Sequence, residues 1–571
     1  MLRDIRRLTG ANFLMGTTGA AAEVPLEEGQ KPIAMALWRQ QTRALLNGMG
    51  WSTEKIVMRA FDGGATLQIS APTDMLYTAT EVVEAAWAAT QAQLEQTNAP
   101  DQVAVIAELR RKADGERNPK HVALVKAAKT HDVTFLGHDG QVSLGLGNNS
   151  QIYSAKDLPD LQDIDWPTIC DIPTAMVTGT NGKSTTVRLS AAIGAAAGHC
   201  VGMSTSDWVR VGGEILDEGD YSGPAGARLA VRDTRVDLAI IEAARGGMMR
   251  RGLPLPRADV CLLTNIAADH LGTYGIMDVA AMADAKFKLA DAIRPGGRLV
   301  LNADDPELVA RSAGFDGEIS WYSLDMPAEM RATLLATGGR GATVLDGVMT
   351  LLRDGVALPV LPVLDFKPGM RGAALYYISN ALGAIALSDA LDLSVDAMSA
   401  GLASFTGSPD ENPGRGNFIE FGGITVLVDF AHNPHGILAL ADTVKAVPAI
   451  RKLLLAGQAG DRSDEDTRDM TRAIWACEPD MVVIKELPKK LRGRRLGELS
   501  DIIEAELVTL GASKDMMLRA DDELSSVRQS LEWAHQGDFL VLLLHEQRQE
   551  AMDLINQLQQ QNWQVGEPLP S

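Results

Sequence analysis

Cysteine, positive charge and long apolar runs are all scarce in this chain, and each scarcity closes off a class of protein. The four cysteines, Cys170, Cys200, Cys261 and Cys477, lie far apart in 571 residues. No CxxC pair and no Cys/His metal spacing occurs, so the four are expected as buried apolar residues in a reducing compartment. Lysine and arginine number 53 against 74 aspartates and glutamates, a net charge of −21. Phosphate neutralisation needs a basic surface, so no nucleic-acid partner is expected. No apolar run approaches membrane-spanning length, and no continuous apolar segment accompanies Arg3, Arg6 and Arg7. No membrane partner and no signal peptide are therefore expected, and the location reads as cytoplasmic. Short-period repeats and long low-complexity tracts are missing too.

What is present suits several folded units. Length gives a prior of about three or four domains, and the 46% hydrophobic content is ample for several cores. Residues 1 to 165 alternate short strand-like and helix-like pieces, with an amphipathic helix expected over 81–95. The segment 157–166, with one proline and four aspartates, reads as a linker. Regular βα units follow. Short apolar strands at 174–177, 238–241, 260–263 and 299–301 predict a parallel sheet covered on both faces. A second boundary lies in Gly407-Ser-Pro-Asp-Glu-Asn-Pro-Gly414. Beyond it, strands at 426–429, 453–456, 481–484 and 539–544 predict a smaller doubly wound domain.

The most informative stretch is Thr178-Gly-Thr-Asn-Gly-Lys-Ser-Thr-Thr186, between an apolar strand and an Ala-rich helical segment. Strand, glycine loop, Lys-Ser and helix are the parts of a phosphate cradle. Loop amides and the helix N-terminus face the anion, the lysine reaches a phosphate oxygen, and the serine hydroxyl can hold Mg²⁺. The standard P-loop places glycine five residues before Gly182, where Val177 stands. Gly-Lys-Ser alone is also an ordinary tight turn before a helix; its context decides between the two.

Other strand ends carry polar groups, where ligands of open α/β sheets bind. Glu242 ends 238–241, ahead of Arg245-Gly-Gly. Asp269 and His270 follow 260–263. A serine hydroxyl, a carboxylate and a nearby histidine suit Mg²⁺ shared with nucleotide phosphates. Singly, each is weak: an end-of-strand glutamate is as much at home capping a helix, and an Asp-His pair often orders a loop. Lys286 has the plain reading of a solvated helix face. Asn302-Ala-Asp-Asp305 is a turn by composition at another strand end. In the last domain Asp429-Phe-Ala-His-Asn-Pro434 ends a strand, Gly460-Asp-Arg462 ends the next region, and Arg415 in Asn412-Pro-Gly-Arg415 can reach a phosphate across a cleft.

Together and in this order, Gly179-Thr-Asn-Gly-Lys-Ser-Thr-Thr186, Glu242…Arg245-Gly-Gly, Thr264-Asn265…Asp269-His270, Asn302-Ala-Asp-Asp305, Asn412-Pro-Gly-Arg415, Asp429-Phe-Ala-His-Asn-Pro434 and Gly460-Asp-Arg462 resemble the Mur ligase family. Gly219-Asp-Tyr-Ser-Gly-Pro224, Arg250-Arg-Gly-Leu253 and Gly460-Asp-Arg-Ser-Asp-Glu-Asp466 are similar, within it, to the Mur-like half of the cyanophycin synthetases.

The resemblance implies an α/β chain of three domains. These are a divergent α+β N-terminal domain with linker (1–165), a central parallel-sheet ATPase domain (166–411) and a C-terminal Rossmann-like domain (412–571). It implies an ADP-forming ligase using ATP and Mg²⁺, which joins an amino acid or small amine to a peptide or amino-acid carboxylate through an acyl phosphate. It implies nucleotide contacts from Gly179, Thr180, Asn181, Gly182, Lys183, Ser184, Thr185, Asn302, Asn380, Arg415 and Asp429. Ser184 and Glu242 match the ligands of one metal, with His270 near a second. Lys286 matches a lysine that many members carbamylate. Arg245, His432, Asn433, Asp461 and Arg462 are the expected substrate-side residues, and a homo-oligomer is expected by the same resemblance. Within the class, folylpolyglutamate-synthetase-like and peptidoglycan-type ligases stay open; outside it, a non-catalytic nucleotide-binding scaffold or regulatory subunit does.

Two departures stand out. The segment 122–157 is similar to the start of the ATP-grasp domain of cyanophycin synthetases, yet the chain then passes directly to Ile172-Pro173 and the phosphate loop, so nearly all of that domain is missing. Where those enzymes carry an acidic run after a Lys-Glu pair, this chain reads Lys485-Glu-Leu-Pro-Lys-Lys-Leu-Arg-Gly-Arg-Arg495. That run is either a solvated loop or a grip on an acidic substrate, and it speaks against a basic amino acid as the amine.

Overall fold

The computed structural model describes residues 1–138 and 140–570. Its centre is an eleven-stranded sheet. Seven consecutive strands are parallel, in the order Val201–Ser204, Leu238–Glu242, Thr174–Thr178, Ala258–Leu263, Ile293–Asn302, Glu318–Ser323 and Arg340–Leu345. Antiparallel strands extend both edges: Trp208–Val211 and Glu214–Glu218 on one side, Val348–Arg353 and Val356–Pro362 on the other. The sequence pattern predicts the parallel centre but not these edges.

Alternation decides which face each side chain takes. Ala175, Val177, Ile240, Leu262 and Val300 pack under the helices Lys183–Ala196, Leu375–Ala390 and Val395–Ser404. Met176, Ala239, Ile241, Cys261 and Leu301 pack on the other face, with Pro224–Arg232, Arg245–Arg251 and Val279–Phe287. Both faces are apolar because both are covered, and each fully buried Val, Leu or Ile contributes roughly 1.5–3 kcal/mol.

A six-stranded sheet follows, ordered Asn417–Phe421, Ile424–Asp429, Phe539–Leu543, Lys452–Ala456, Met481–Lys485, Met517–Ala520. All but its first pair are parallel. Ahead of the central sheet stands a four-stranded antiparallel one, ordered Arg3–Leu8, Gly19–Pro25, Gly64–Ser70, Ile56–Phe61. The helices Lys31–Gly48 and Leu76–Leu94 cover it, the second starting five residues ahead of the expected 81–95 segment and ending one residue short of it. A small antiparallel sheet of Phe135–His138, Gln141–Leu144 and Gln151–Ser154 lies between these two parts.

The cysteines differ from expectation in two cases: Cys261 and Cys477 are buried, but Cys200 is only half-buried and Cys170 is exposed, in an irregular segment ahead of the first central strand. No helix among the described residues is long and apolar enough to cross a membrane.

Candidate active site

Sheet order assembles the site. Thr174–Thr178 sits between Leu238–Glu242 and Ala258–Leu263, so three carboxyl ends open side by side. They deliver the glycine loop, Glu242 and the Thr264-Asn265 pair to one place.

The loop is held by its neighbours rather than by itself. Thr180 N donates to Asn265 O at 2.8 Å, Asn181 N to Asn265 Oδ1 at 2.9 Å, and Thr264 Oγ1 to Asn181 O at 2.6 Å. Gly179 and Gly182 take φ of +147° and +84°. A Cβ at Gly179 would stand 1.8 Å from Thr264 Oγ1, and one at Gly182 2.2 Å from Asn380 Oδ1. Both positions require glycine, for backbone shape and for room. Asn380 is buried on the helix beneath the loop. Asn302, also buried, props the loop at one remove: its Nδ2 donates to Thr264 O at 2.9 Å.

Lys183 Nζ lies back on Thr180 O at 2.8 Å. Ser184 Oγ donates to Glu242 Oε2 at 2.7 Å, and Ser206 joins through its hydroxyl, 3.1 Å from Ser184 Oγ, and its amide, 3.2 Å from Glu242 Oε2. Glu242 is 2% exposed. Lys286 is 3% exposed rather than solvated, and its Nζ donates to Thr180 Oγ1 at 2.7 Å. Burial first, then the nearby Lys183 ammonium, holds its pKa well below the usual lysine range.

His270 joins a different group. Its ring is 3.9 Å from Asp269 and 3.7 Å from Asp461, while His432 lies 3.7 Å from the same Asp269. Ligand atoms of Asp269, His270 and His432 all fall within 4.8 Å of one another. Among the described residues no hydrogen bond or ion pair links His270 to Ser184 or Glu242. Burial, only partly offset by Asp269, lowers the His270 pKa to about 4, so its ring is neutral at neutral pH. Arg462 pairs with Asp269 at 2.8 Å. Burial would raise the Asp269 pKa, but His432, His270 and Arg462 outweigh it and hold the pKa well below the usual range.

Residues 177–388 match the Mur ligase middle domain, and residues 414–544 match the Mur ligase glutamate ligase domain. The chain belongs to the Mur ligase family. Cyanophycin synthetase of Crocosphaera subtropica is 33% identical over 385 residues, covering 67% of this chain and 44% of that protein. The chain thus spans less than half the length of that relative. UDP-N-acetylmuramoyl-L-alanyl-D-glutamate--2,6-diaminopimelate ligase of Geobacter metallireducens is 27% identical over 395 residues, 65% of this chain and 73% of that one. Among solved structures, E. coli FolC in complex with DHPP and ADP aligns with a TM-score of 0.48 at 22% identity, over 67% of this chain and 89% of FolC.

In this chain the two matched domains meet across the cleft. Asn181 and Asn433 exchange amide hydrogen bonds at 3.2 and 3.1 Å. Asn412, fully buried, donates to Thr185 Oγ1 at 3.2 Å and accepts from Arg188 at 2.5 Å. Arg415 donates to Ser206 Oγ at 3.1 Å and covers the Phe430 ring at 4.4 Å. Asp429 is buried, and burial raises its pKa against the pull of Arg415. The basic run is no free loop: Arg494 pairs with Asp464 at 2.7 Å, Arg492 pairs with Asp461, and Lys490 Nζ donates to His545 O at 2.6 Å.

Sequence reading misses one cluster. Asp207 pairs with Arg188 and Arg548, each at 2.6 Å, with Arg415 4.0 Å away. Burial would raise its pKa, but the Arg415, Arg188 and Arg548 charges bring it down to about 2. Its one sequence signal is a Ser-Asp pair at the carboxyl end of Val201–Ser204, the same signal that picks out Glu242.

Proposed function

We propose that this chain is an ATP- and Mg²⁺-dependent carboxylate–amine ligase that joins an amino acid or small amine to a peptide or amino-acid carboxylate. The observation that carries the reading is the Ser184–Glu242 contact at the mouth of the phosphate loop. A hydroxyl and a carboxylate, both buried and 2.7 Å apart, form an oxygen pair suited to a small hard cation shared with phosphates. The glycine cradle, which any Cβ would fill, suits the phosphates themselves. Mg²⁺, when bound, would neutralise phosphate charge and polarise the transferring group.

The chemistry is a γ-phosphoryl transfer to a carboxylate oxygen with loss of ADP. An amine nitrogen then displaces phosphate and sheds a proton. Two anions must be brought together, so cations dominate the cleft. Lys183, the first residue of the helix after the loop, would supply its ammonium to a phosphate seated there. Arg415 and Arg462 reach in from the C-terminal domain and couple substrate binding to closure. Lys286 sits buried at the loop with its pKa held well below the usual lysine range, which favours the amine form that adds CO₂ to give a carbamate, and a carbamate there would add a carboxylate to the site. His270 offers a neutral ring nitrogen from the far wall.

Lys183→Ala should abolish ATP-dependent ligation while circular dichroism and the melting temperature stay as in the parent chain. Undiminished turnover would refute the proposal.

A further inference from the structure

The helix Arg245–Arg251 joins two regions. It starts just beyond Glu242 and runs against Arg3–Leu8, the edge strand of the N-terminal sheet. The seam is well tied: Arg6 Nε donates to Met249 O at 2.8 Å, and Thr9 N to Arg251 O at 2.9 Å.

The remaining guanidiniums along this seam form no ion pair among the described residues. Arg245 donates to Thr273 Oγ1 at 2.7 Å, but its Nη1 is buried with no partner. Arg250 Nε reaches Tyr274 Oη at 3.4 Å. Arg7 lies 3.8 Å over the Tyr77 ring, which is 62% exposed. Burial lowers the Arg251 pKa, and the Arg7 and Arg250 charges lower it further. Asp4 and Asp220 are the acidic groups that act on Arg250, and Asp269 acts on Arg245. Among the described residues none of these four arginines forms an ion pair, whereas neighbouring Arg6 pairs with Glu23 at 2.5 Å. Four unpaired arginines on one seam of a chain carrying −21 form a local positive field that attracts anions.

We propose that this seam is a cationic track for the carboxylate donor, and that the donor is an acidic peptide whose reacting carboxylate passes Arg245 toward the phosphate loop. The proposal rests on the ligase reading above. Its chemistry follows from the groups. Planar guanidiniums grip carboxylates in bidentate fashion, and Tyr77 and Tyr274 supply flat walls for an extended backbone. A seven-residue helix is roughly 10 Å long at 1.5 Å per residue. An extended peptide covers that span in about three residues at roughly 3.3 Å each. A donor with one carboxylate at Arg245 and further acidic side chains about three residues back would meet both ends.

The test uses the full chain and fluorescein-labelled hexa-aspartate and hexa-glutamate, with hexa-asparagine as the neutral control, read by anisotropy at low salt. Acidic peptides should bind and the neutral one should not, with affinity falling as salt rises. The Arg7→Gln/Arg251→Gln variant should bind acidic peptide about tenfold more weakly or worse. The Arg7→Lys/Arg251→Lys variant should retain most of the affinity, which separates charge from folding. A fluorescent ATP analogue should bind all variants alike. Equal binding of hexa-asparagine, parent-like binding by the glutamine variant, or equal competition by decathymidylate would overturn the track. If the acidic peptides bind at the track but none is ever extended with ATP and any amine, the ligase reading fails and the track stands. If peptides are extended with KM unchanged in the glutamine variant, the track fails and the ligase reading stands.

Discussion

Asp207 concentrates more charge than any motif in the sequence announces. Its carboxylate holds Arg188 of the middle domain and Arg548 of the C-terminal domain, and its side chain is 5% exposed. Its folded pKa of about 2 lies below the ordinary 3.8, so the folded chain binds this proton less readily than the unfolded one. The resulting stabilisation is complete above about pH 4 and is lost as pH falls through about 2; at 1.36 kcal/mol per unit it amounts to about 2 kcal/mol. Urea unfolding of the parent should show this loss in that window, and Asp207→Asn should not. At neutral pH the same substitution leaves a buried Arg188 without its counter-charge and should cost about 3–5 kcal/mol; an unchanged unfolding midpoint would contradict the pairing. Lys286 makes a second prediction at this scale. Lys286→Ala should cost most of the activity, and a short carboxylate additive should restore part of it if a carbamate is used. Full activity in the variant would remove Lys286 from the chemistry.

Among elements, the phosphate loop is the least tolerant. Gly182→Ala demands a left-handed residue at φ +84° and drives a methyl into Asn380. The conformational term alone is about 1 kcal/mol. The larger expected effect is on ATP affinity, a loss of about tenfold or more measured by calorimetry, because the loop amides re-aim; parent-like affinity would show the cradle to be less rigid than its contacts. The loop and the strands around it were legible in the sequence because βα units repeat a local pattern: an apolar run, a polar end, a helix. The edge strand Glu214–Glu218 was not, since it is mostly exposed and has no apolar run to mark it. Arg188 was missed for a related reason. On a helix it reads as surface, and its partners Asp207 and Asn412 lie 19 and 224 residues away in sequence. Lys286 is the reverse case: composition suggests a solvated face, the family resemblance marks the residue, and the fold buries it.

At the scale of the molecule, the cleft is closed by contacts that each cross from one sheet to another: Asn181 with Asn433, Asp269 with Arg462, Asp207 with Arg548. Substrate carboxylates and phosphates would compete for the same arginines, so binding and closure share one set of charges. Arg462→Ala should therefore raise KM for the substrates more than it changes ATP affinity, with Asp269 left less well compensated; an unchanged KM would place Arg462 outside the substrate path. On the proposed reading, one ATP site in this chain couples phosphate release to formation of one amide bond. This coupling is tested most directly by following phosphate release from Mg-ATP across the amino acids, each paired with aspartate- and glutamate-containing peptides, with products weighed by mass spectrometry. Release should depend on one specific pair, with a product lighter than the sum of its substrates by one water. Phosphate release indifferent to every pair, or ATP binding with no release and no product, would contradict it.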